Sequence, residues 1–269
     1  FDIEGALSFD SWAGTSNVTE GNLISYTSNS ELGTSAADFT FSAGSVVSTS
    51  AQTTQPVQSV VAVTLPVGGS DVMNLSAAMR NGLSVILNTS GAGSTSSAET
   101  ILDGVVLNRQ ITSTGPQVAD ITIGEDGIAF NADASDFAMT FNDQLLFPSD
   151  IDVAISKIGM NLDLPLNASE GLQDFRVATT MQGLTVGDTV WNLFDPAAIL
   201  PRDPADVSFD ITGNGTNGTD LLDFIAMAQM FGPPKIEVDD VTIKNLRIAA
   251  AGAEATATGA MTFDWTDFT

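Results

Sequence analysis

Residues 210–220 carry the side-chain types that chelate calcium. Carboxylate, amide and hydroxyl oxygens recur there among glycines, and an apolar helical pattern follows, as in loops that bind Ca²⁺ through oxygen ligands. Counted from the first aspartate, Gly215 lies at the sixth position, where such a loop turns sharply, but the twelfth is Leu221 instead of an acid. We therefore favour a Gly/Asn turn that leads into a helix cap. The alternative calcium ligands are Asp210, Asn214 and Asp220.

Six apolar residues in the last third of the chain could line a pocket for an apolar ligand. They are Trp191, Phe194, Leu200, Phe224, Met227 and Phe231. Clustered methionine and aromatic side chains more often pack against one another than bind a ligand. We therefore favour a core in which a helix over residues 220–231 plugs one end of a sheet. The ligand-binding pocket is kept as the alternative.

Charge and composition exclude several classes of function. The chain has 33 acidic and 8 basic residues, a net charge of −25, so it repels phosphates and we expect no nucleic acid or anionic head group as a partner. Histidine and cysteine are both absent, which removes the usual general base, the thiolate nucleophile and the commonest metal ligand. Many carboxylate pairs are available, but spacing singles out none. We predict a protein that is not an enzyme and has no cofactor.

The stretch 253–265 shows the pattern on which the fold prediction rests. Ala257, Gly259, Met261 and Phe263 alternate with threonine, alanine and aspartate, which is the period of a strand with one apolar and one polar face. Shorter stretches repeat this alternation along most of the chain. The sequence therefore predicts a mainly β fold, either a large twisted antiparallel sheet or a two-layer β-roll. We expect one β-rich unit over residues 1–269.

Three short helices are predicted to cover the ends of the sheet. The first spans residues 70–82, with Ser70 as its N-cap and Gly82 just after its last turn. The second spans 188–194, and the third spans 220–231 with Asp220 as its N-cap. Because the third is apolar almost all round, we expect it to be buried on more than one side. No apolar run reaches the roughly 20 residues of a membrane helix, so we predict no transmembrane segment.

A change in apolar parity predicts one irregularity in the sheet. Val241 and Ile243 occupy odd positions, whereas Leu246 and Ile248 occupy even positions. With strict alternation these two pairs of apolar residues would point to opposite faces of the strand. A bulge or bend near Lys244 would bring them to the same face.

Two passages resemble a known protein family. Residues 190–210 contain the strings Leu-Phe-Asp-Pro and Leu-Pro-Arg-Asp-Pro, and residues 241–265 contain Ile-Lys-Asn-Leu-Arg-Ile-Ala-Ala-Ala-Gly. Together they resemble a family of exported alphaproteobacterial proteins known only as a domain of unknown function, over most of the chain. The resemblance implies a periplasmic or secreted location and carries no known activity, so it assigns no site residues. It also implies longer proteins, and we expect this chain to be a fragment of one.

Three hypotheses for function follow. In the first, an exported, non-enzymatic protein of the cell envelope holds a lipid-like ligand or a partner protein on a concave apolar sheet face. In the second, a structural cell-surface or envelope protein has no ligand and is ordered by calcium. In the third, which we disfavour, carboxylates alone catalyse a reaction. An open apolar groove would favour the first, a filled core with a metal the second, and a half-buried acid pair in a cleft the third.

Overall fold

The sheet contains nearly all of the ordered secondary structure. The structure, a computed structural model, describes residues 1–69, 71–147 and 149–265. Strands account for 68% of the residues and helices for 7%, and sixteen strands form one antiparallel sheet. The mainly β prediction is therefore confirmed. Of its two forms, the large antiparallel sheet is the one that the described residues adopt.

The first ten strands are short and occupy the N-terminal part of the chain. They are β1 Asp2–Phe9, β2 Trp12–Glu20, β3 Leu23–Leu32, β4 Ser35–Ala43, β5 Val46–Thr54, β6 Val57–Pro66, β7 Ser84–Gly91, β8 Ser94–Leu102, β9 Val105–Thr114 and β10 Gln117–Gly124. The remaining six are mostly longer. They are β11 Gly127–Asp143, β12 Ile151–Leu164, β13 Ser169–Val186, β14 Ala205–Asn217, β15 Ile236–Ala250 and β16 Ala253–Thr262.

The ten short strands are five long strands, each interrupted once. The pairing register is the same on both sides of every interruption: Trp12 pairs with Leu32 in β2 and β3, and Phe9 pairs with Ser35 in β1 and β4. The sixteen strands thus follow eleven extended runs of chain, and each run pairs only with its neighbours in the sequence. The described fold is a simple antiparallel meander.

The interruptions line up into a seam that crosses the sheet. The seam consists of residues 10–11, 33–34, 55–56, 92–93 and 115–116, with Asp136 in β11. Hydrogen bonds continue through it, for example from Gly33 N–H to the Ser11 carbonyl at 2.8 Å and from Gly115 N–H to the Ser135 carbonyl at 2.9 Å. Asp136 has a φ of 52°, in the left-handed region that interrupts strand geometry. The seam divides the sheet into a wing with β2, β3, β6, β7, β10 and β13–β16 and a wing with β1, β4, β5, β8 and β9.

The apolar positions change parity at the seam. In β11 they are even before it, at Ile128 and Phe130, and odd after it, at Phe137, Met139 and Phe141. In β12 the same change of parity lies between Ile155 and Ile158. Ile155 pairs with Phe137 of β11, and Ile158 pairs with Ala134. Each wing therefore has its own apolar surface.

The connections gather at the two ends of the runs. The first end carries residues 67–69, 71–83, 125–126, 165–168 and 218–235, and the second end carries 44–45, 103–104, 144–147, 149–150, 187–204 and 251–252. Two of the tight turns, Asp103-Gly104 and Ala251-Gly252, have positive φ at both residues, with values of 51° and 80° and of 50° and 76°. This backbone matches the twist of the strands that it joins.

The three helices cover the ends of the sheet, as predicted, but two have other bounds. Helix α1 is Leu75–Arg80 and begins at Asn74, whose side chain accepts from Ala77 N–H; the predicted N-cap, Ser70, lies outside the described residues. Helix α2 is Asp188–Phe194, as predicted. Helix α3 is Phe224–Gln229 and begins at Asp223, so the predicted helix 220–231 with Asp220 as N-cap is wrong.

The predicted bulge in the last strands is confirmed. The register between β15 and β16 shifts between Ile243 and Leu246. On its other side, β15 also shifts against β14 at this level, where Asp210 pairs with Asn245 and the next residue, Ile211, pairs with Ile243. The extra residue restores the apolar side chains of both halves of β15 to one face.

The sheet is mostly uncovered. The accessible surface is 16045 Å² for 27.9 kDa, whereas a compact monomer of this mass exposes about 11,000 Å². Among the described residues the buried apolar side chains are Ala78 and Met79, both in α1. A single layer accounts for this, because a sheet hides side chains only where something packs on its face.

Within the described part of the chain, no helix is long and apolar enough to cross a membrane. The helices have six or seven residues each.

Candidate ligand-binding face

One face of the first wing is apolar across most of its width. Register partners share a face, so successive pairings identify the residues that form a row across the strands. The central row consists of Val61, Leu87, Ile121, Phe130, Leu162, Val177, Ile211 and Ile243. The next row toward the first end continues with Tyr26, Val63, Val85, Ile123, Ile128 and Leu164. We call this surface the apolar face.

The opposite face of the same wing is polar. The row adjacent to the central apolar row contains two apolar members, Val60 and Ala178, and otherwise Asn29, Asn88, Asp120, Asn131, Asn161, Asp210 and Asn245. Asn88 donates to Asp120 at 2.7 Å, and Arg176 donates to both carboxylate oxygens of Asp210 at 3.0 Å. The side chains of this face hydrogen-bond one another and water, so the strands need cover only on the apolar face.

The apolar face is exposed and hollowed near the seam. A hollow of about 440 Å³ is lined there by residues that include Val57, Phe130, Ala132, Ile158 and Met160. Ile158 and Met160 are 41% and 43% exposed, which is unusual for large apolar side chains in the middle of a sheet. Soluble monomers seldom leave a continuous apolar surface of this kind uncovered, and those that do use it for binding.

A smaller hollow lies at the first end of the same face. It has a volume of about 210 Å³, and its lining includes Leu164, Phe175, Leu221, Ile236 and Val238. Leu221 belongs to the connection between β14 and β15, and its N–H donates to the Leu166 carbonyl at 3.1 Å. This connection therefore folds over the end of the apolar face and closes one side of the hollow.

The connections that bear α1 and α3 dock on each other through two helix caps. Asn74 and Asp223 are partners in a single antiparallel bridge, flanked by hydrogen bonds from Leu75 N–H to the Leu222 carbonyl and from Phe224 N–H to the Met73 carbonyl. Asn74 also donates its amide to Asp223 at 2.6 Å. Each of the two residues caps its own helix at the same time. We call this arrangement the clasp.

An ion pair completes the clasp. Arg80, in the last turn of α1, donates to both carboxylate oxygens of Asp220, at 2.7 and 2.8 Å. Asp220 also accepts from Ala168 N–H at 2.8 Å, in the connection between β12 and β13. The hydrogen bonds from Arg80 hold the pKa of Asp220 below its ordinary value, against the opposing effect of burial. The clasp thus joins three connections at the first end of the sheet.

The two halves of the clasp have similar sequences. Residues 71–75 read Asp-Val-Met-Asn-Leu and residues 220–224 read Asp-Leu-Leu-Asp-Phe, and each string is followed by one residue and an alanine. The first aspartate has an equivalent place in both: Asn74 N–H donates to the Asp71 carbonyl and Asp223 N–H to the Asp220 carbonyl. Sequence reasoning missed this relationship, although the repeated pattern of an aspartate, two apolar residues, an Asn or Asp and a third apolar residue was there to find it.

The predicted apolar cluster does not form. Trp191, Phe194 and Leu200 lie at the second end, whereas Phe224, Met227 and Phe231 lie at the first end, separated by the 13 residues of β14, about 43 Å of strand. Within the first group, Trp191 and Phe194 are in contact, with ring centroids 5.0 Å apart. Helix α3 has no buried residue and Phe231 is fully exposed, so the expected buried plug is wrong.

The three candidate calcium ligands are also kept apart. Asp210 and Asn214 lie four residues apart on β14, about 13 Å along a strand. Asp210 is paired with Arg176, Asn214 donates to Asp240 at 2.6 Å, and Asp220 belongs to the clasp. One Ca²⁺ ion needs oxygens within about 2.6 Å of itself. Among the described residues, no cluster of three or more acidic side chains is arranged to hold a metal ion.

The carboxylates with the clearest electrostatic perturbation all serve structural pairs. Arg176 lowers the pKa of Asp210, and Arg247 together with Gly183 N–H lowers the pKa of Asp206. A lowered pKa keeps a carboxylate charged and makes it a poor proton donor near neutral pH. The pairs therefore tie neighbouring strands together on the polar face.

Comparison with known proteins identifies no relative. No protein-family model matches the chain, and no curated protein and no solved structure matches it. The resemblance of residues 190–210 and 241–265 to an exported family stays a prediction. The surfaces of the molecule are thus the basis for a functional proposal.

Proposed function

We propose that the protein is a non-enzymatic binding protein that holds the acyl part of a lipid-like ligand on the apolar face. The observation that carries the proposal is the hollow beside the exposed side chains of Ile158 and Met160, together with the half-buried central row of apolar side chains that continues from it. Removing apolar surface from water stabilises a complex by about 25 cal/mol for each Å² buried. An acyl chain has no polar group to satisfy, and so it suits a hollow whose lining is mostly apolar, with Thr89, Ser90, Gln117 and Asp133 as its polar members.

The net charge of the chain restricts the charge that the head group of the ligand can carry. A net charge of −25 disfavours an anionic head group near the protein. We therefore propose a neutral or zwitterionic ligand whose head group lies outside the apolar face. The location in the periplasm or outside the cell is part of the proposal and rests on the sequence resemblance alone.

The proposal is tested by native mass spectrometry and lipid extraction of the purified protein, followed by titration with a phosphatidylcholine that carries a fluorescent acyl chain. Ile158→Glu is expected to abolish both the co-purified lipid and the binding of the probe, because it places a charge in the hollow. Ile86→Glu is the matched control: Ile86 is 37% exposed and pairs with Thr122 on the polar face of the same wing. It should bind like the unmodified chain.

Two results would reject this function. If neither lipid nor probe binds the unmodified chain, the alternative of a structural envelope protein without a ligand is favoured. If Ile158→Glu and Ile86→Glu reduce binding equally, the apolar face is not the binding surface.

A further inference from the structure

A polar hollow adjoins the small apolar hollow at the first end of the sheet. It has a volume of about 420 Å³, and its lining includes Arg80, Glu125, Asp126, Asn167, Gln173 and Asp174. Pro165 and Gln173 line both hollows, so the polar hollow begins where the apolar face ends. We call it the polar hollow.

An irregularity in β13 shapes the polar hollow. The pairing register between β13 and β14 shifts between Ser169 and Gln173. Such a shift bends the strand and changes the direction of its side chains, and it is common beside binding sites. Neighbouring residues of a regular strand point to opposite faces, but Gln173 and Asp174 both line the polar hollow.

Two buried oxygen atoms at the polar hollow lack a hydrogen-bond donor. Asn167 is 4% exposed, and its amide nitrogen donates to the Glu125 carbonyl at 2.8 Å, but its Oδ1 has no partner. Because exchange of the amide oxygen and nitrogen would break that hydrogen bond, the orientation of the Asn167 amide is fixed. The Oε1 of Gln173 is also buried and without a partner. Buried amide oxygens normally accept a hydrogen bond, and a ligand with N–H groups would supply the missing donors.

The charges around the polar hollow favour a cationic group. Three carboxylates line it, those of Glu125, Asp126 and Asp174. Among the described lining residues the one cationic side chain is Arg80, and Asp220 accepts from it twice. No cluster of three or more acidic side chains in the described part of the chain is arranged to hold a metal ion. The hollow also has more than ten times the roughly 30 Å³ of a water molecule, so an organic ammonium group fits it better than a bare ion.

The lining also indicates which kind of ammonium group fits. A quaternary ammonium has no N–H group and is recognised through the faces of aromatic rings. None of the described residues that line the polar hollow is aromatic. A primary ammonium has three N–H donors, which match the unsatisfied amide oxygens and the carboxylates.

We infer that the polar hollow binds the primary ammonium of a zwitterionic, phosphoethanolamine-type lipid head group, an inference that rests on the proposed function. The ammonium donates to the amide oxygens of Asn167 and Gln173 and is attracted by the carboxylates. The phosphate lies on the side of Arg80, which keeps three of its five N–H groups after two donate to the clasp. The acyl chain follows β12 on the apolar face from Leu164 to Ile158, about 20 Å along the strand.

The test compares a phosphatidylethanolamine and a phosphatidylcholine that carry the same fluorescent acyl chain. We expect the phosphatidylethanolamine to bind about tenfold more tightly, the ratio for one charge-assisted hydrogen bond. A variant with Glu125→Gln and Asp174→Asn should lose this preference and keep its affinity for the phosphatidylcholine. The matched control combines Glu4→Gln with Asp38→Asn, which removes the same two charges from β1 and β4 in the second wing. It should keep the preference.

A third variant tests the unsatisfied oxygen. Gln173→Met removes the amide oxygen and keeps the length of the side chain, so it should weaken the binding of the phosphatidylethanolamine and leave that of the phosphatidylcholine unchanged. Because this oxygen has no partner in the protein, urea denaturation should show no loss of unfolding free energy. Soluble phosphoethanolamine should compete with the lipid only at much higher concentration, since it has no acyl chain to bury.

The outcomes separate this inference from the proposed function. If neither lipid binds the unmodified chain, both fail. If the two lipids bind equally and Ile158→Glu abolishes both, the binding function stands and the head-group assignment is overturned. The assignment is also overturned if the control variant loses the preference, if Gln173→Met binds phosphatidylethanolamine like the unmodified chain, or if soluble phosphoethanolamine binds as tightly as the lipid.

Discussion

Arg80 donates two hydrogen bonds to the carboxylate of Asp220, although the two residues are 140 positions apart in the sequence. The two residues belong to the connections β6–β7 and β14–β15, and β7 and β14 are five strands apart in the sheet, about 24 Å along it. Pairing along the meander brings only neighbouring runs together. The ion pair and the cap bridge beside it therefore connect parts of the sheet that strand pairing leaves separate.

The Arg80–Asp220 pair is expected to contribute to stability as a coupled unit. In a double-mutant cycle of Arg80→Ala and Asp220→Ala, the coupling free energy should be about 1 kcal/mol, at the upper end for partly exposed pairs, because the geometry is bidentate. Urea denaturation of the four proteins gives this value. Asp220→Ala alone should cost more than Arg80→Ala, since it also leaves Ala168 N–H without its acceptor.

A second ion pair provides the comparison for this cycle. Lys157 and Asp133 are 3.0 Å apart, with side chains 50% and 37% exposed, and they make a single contact between β12 and β11. Their coupling should be at most about 0.5 kcal/mol. Equal coupling in the two cycles would show that the clasp adds nothing beyond an ordinary surface pair.

The same pair predicts how stability depends on pH. The pKa of Asp220 is lowered in the folded state by Arg80, relative to about 3.9 in the unfolded chain. A lowered pKa means that the unfolded state binds more protons, so this contribution is complete above the unfolded pKa and is lost as the pH falls through the folded pKa. The difference in unfolding free energy between the unmodified protein and Asp220→Asn should thus shrink as the pH is lowered from 5 toward 2. Arg80→Gln should behave like Asp220→Asn, and a gap that stays constant would contradict the assignment.

The cap bridge predicts a disulfide that the chain can accept. Asn74 and Asp223 form a non-hydrogen-bonded antiparallel pair, whose Cα atoms lie about 4.5 Å apart, within the range of about 4.4–6.8 Å for disulfides. A variant with Asn74→Cys and Asp223→Cys should oxidise as a monomer, because there is no other cysteine to compete. The oxidised form should be more stable than the reduced form by about 4 kcal/mol.

Gel mobility with and without reductant detects this cross-link. The control variant combines Asn74→Cys with Phe194→Cys, whose positions lie at opposite ends of the runs, and should form no intramolecular disulfide. Cross-linking of both variants to the same extent would mean that the clasp is not a stable feature in solution.

Burial predicts that two apolar substitutions at the first end lower the unfolding free energy by different amounts. Met79 in α1 is 1% exposed and Phe224 in α3 is 43% exposed. Met79→Ala should cost about 2–5 kcal/mol of unfolding free energy because it leaves a cavity, whereas Phe224→Ala should cost about 1 kcal/mol. Chemical denaturation of the two variants, with circular dichroism to confirm an unchanged β spectrum, measures the difference. A larger cost at Phe224 would revive the buried plug that the sequence alone suggested.

Local sequence patterns were enough to predict the features that depend on neighbouring residues, namely strand faces, a bulge and one helix. Alternation gave the faces of β15 and β16, the parity change between Ile243 and Leu246 gave the bulge, and the cap and apolar spacing gave α2. Burial could not be read in the same way, because the apolar pattern of α3 is equally consistent with a buried plug and with an exposed helix on a single-layer sheet. The apolar pattern indicates which side chains are apolar. Whether those side chains are buried depends on whether another layer packs on them.

The candidate site was harder to predict for the same reason. The residues selected for their types, such as Trp191 and Phe224, are apolar and close in the sequence, but a run of strand carries the chain from one end of the sheet to the other between them. The apolar face is built instead from residues of nine different strands, mostly valine, leucine and isoleucine. No single stretch of sequence marks such a surface, since it arises from register.

The meander also determines how this chain acquires and loses its structure. Each run pairs with the next run in the sequence, so the contact order is low. Any hairpin of two runs can therefore serve as the folding nucleus to which neighbouring runs are added. Within the described residues, opening of one run breaks strand pairing with its neighbouring runs alone, because no run pairs farther along the sheet. A cut in the β11–β12 connection would leave two pieces that stay joined by the β11–β12 strand pairing and, at the first end, by the clasp, which holds α1 of one piece against α3 of the other.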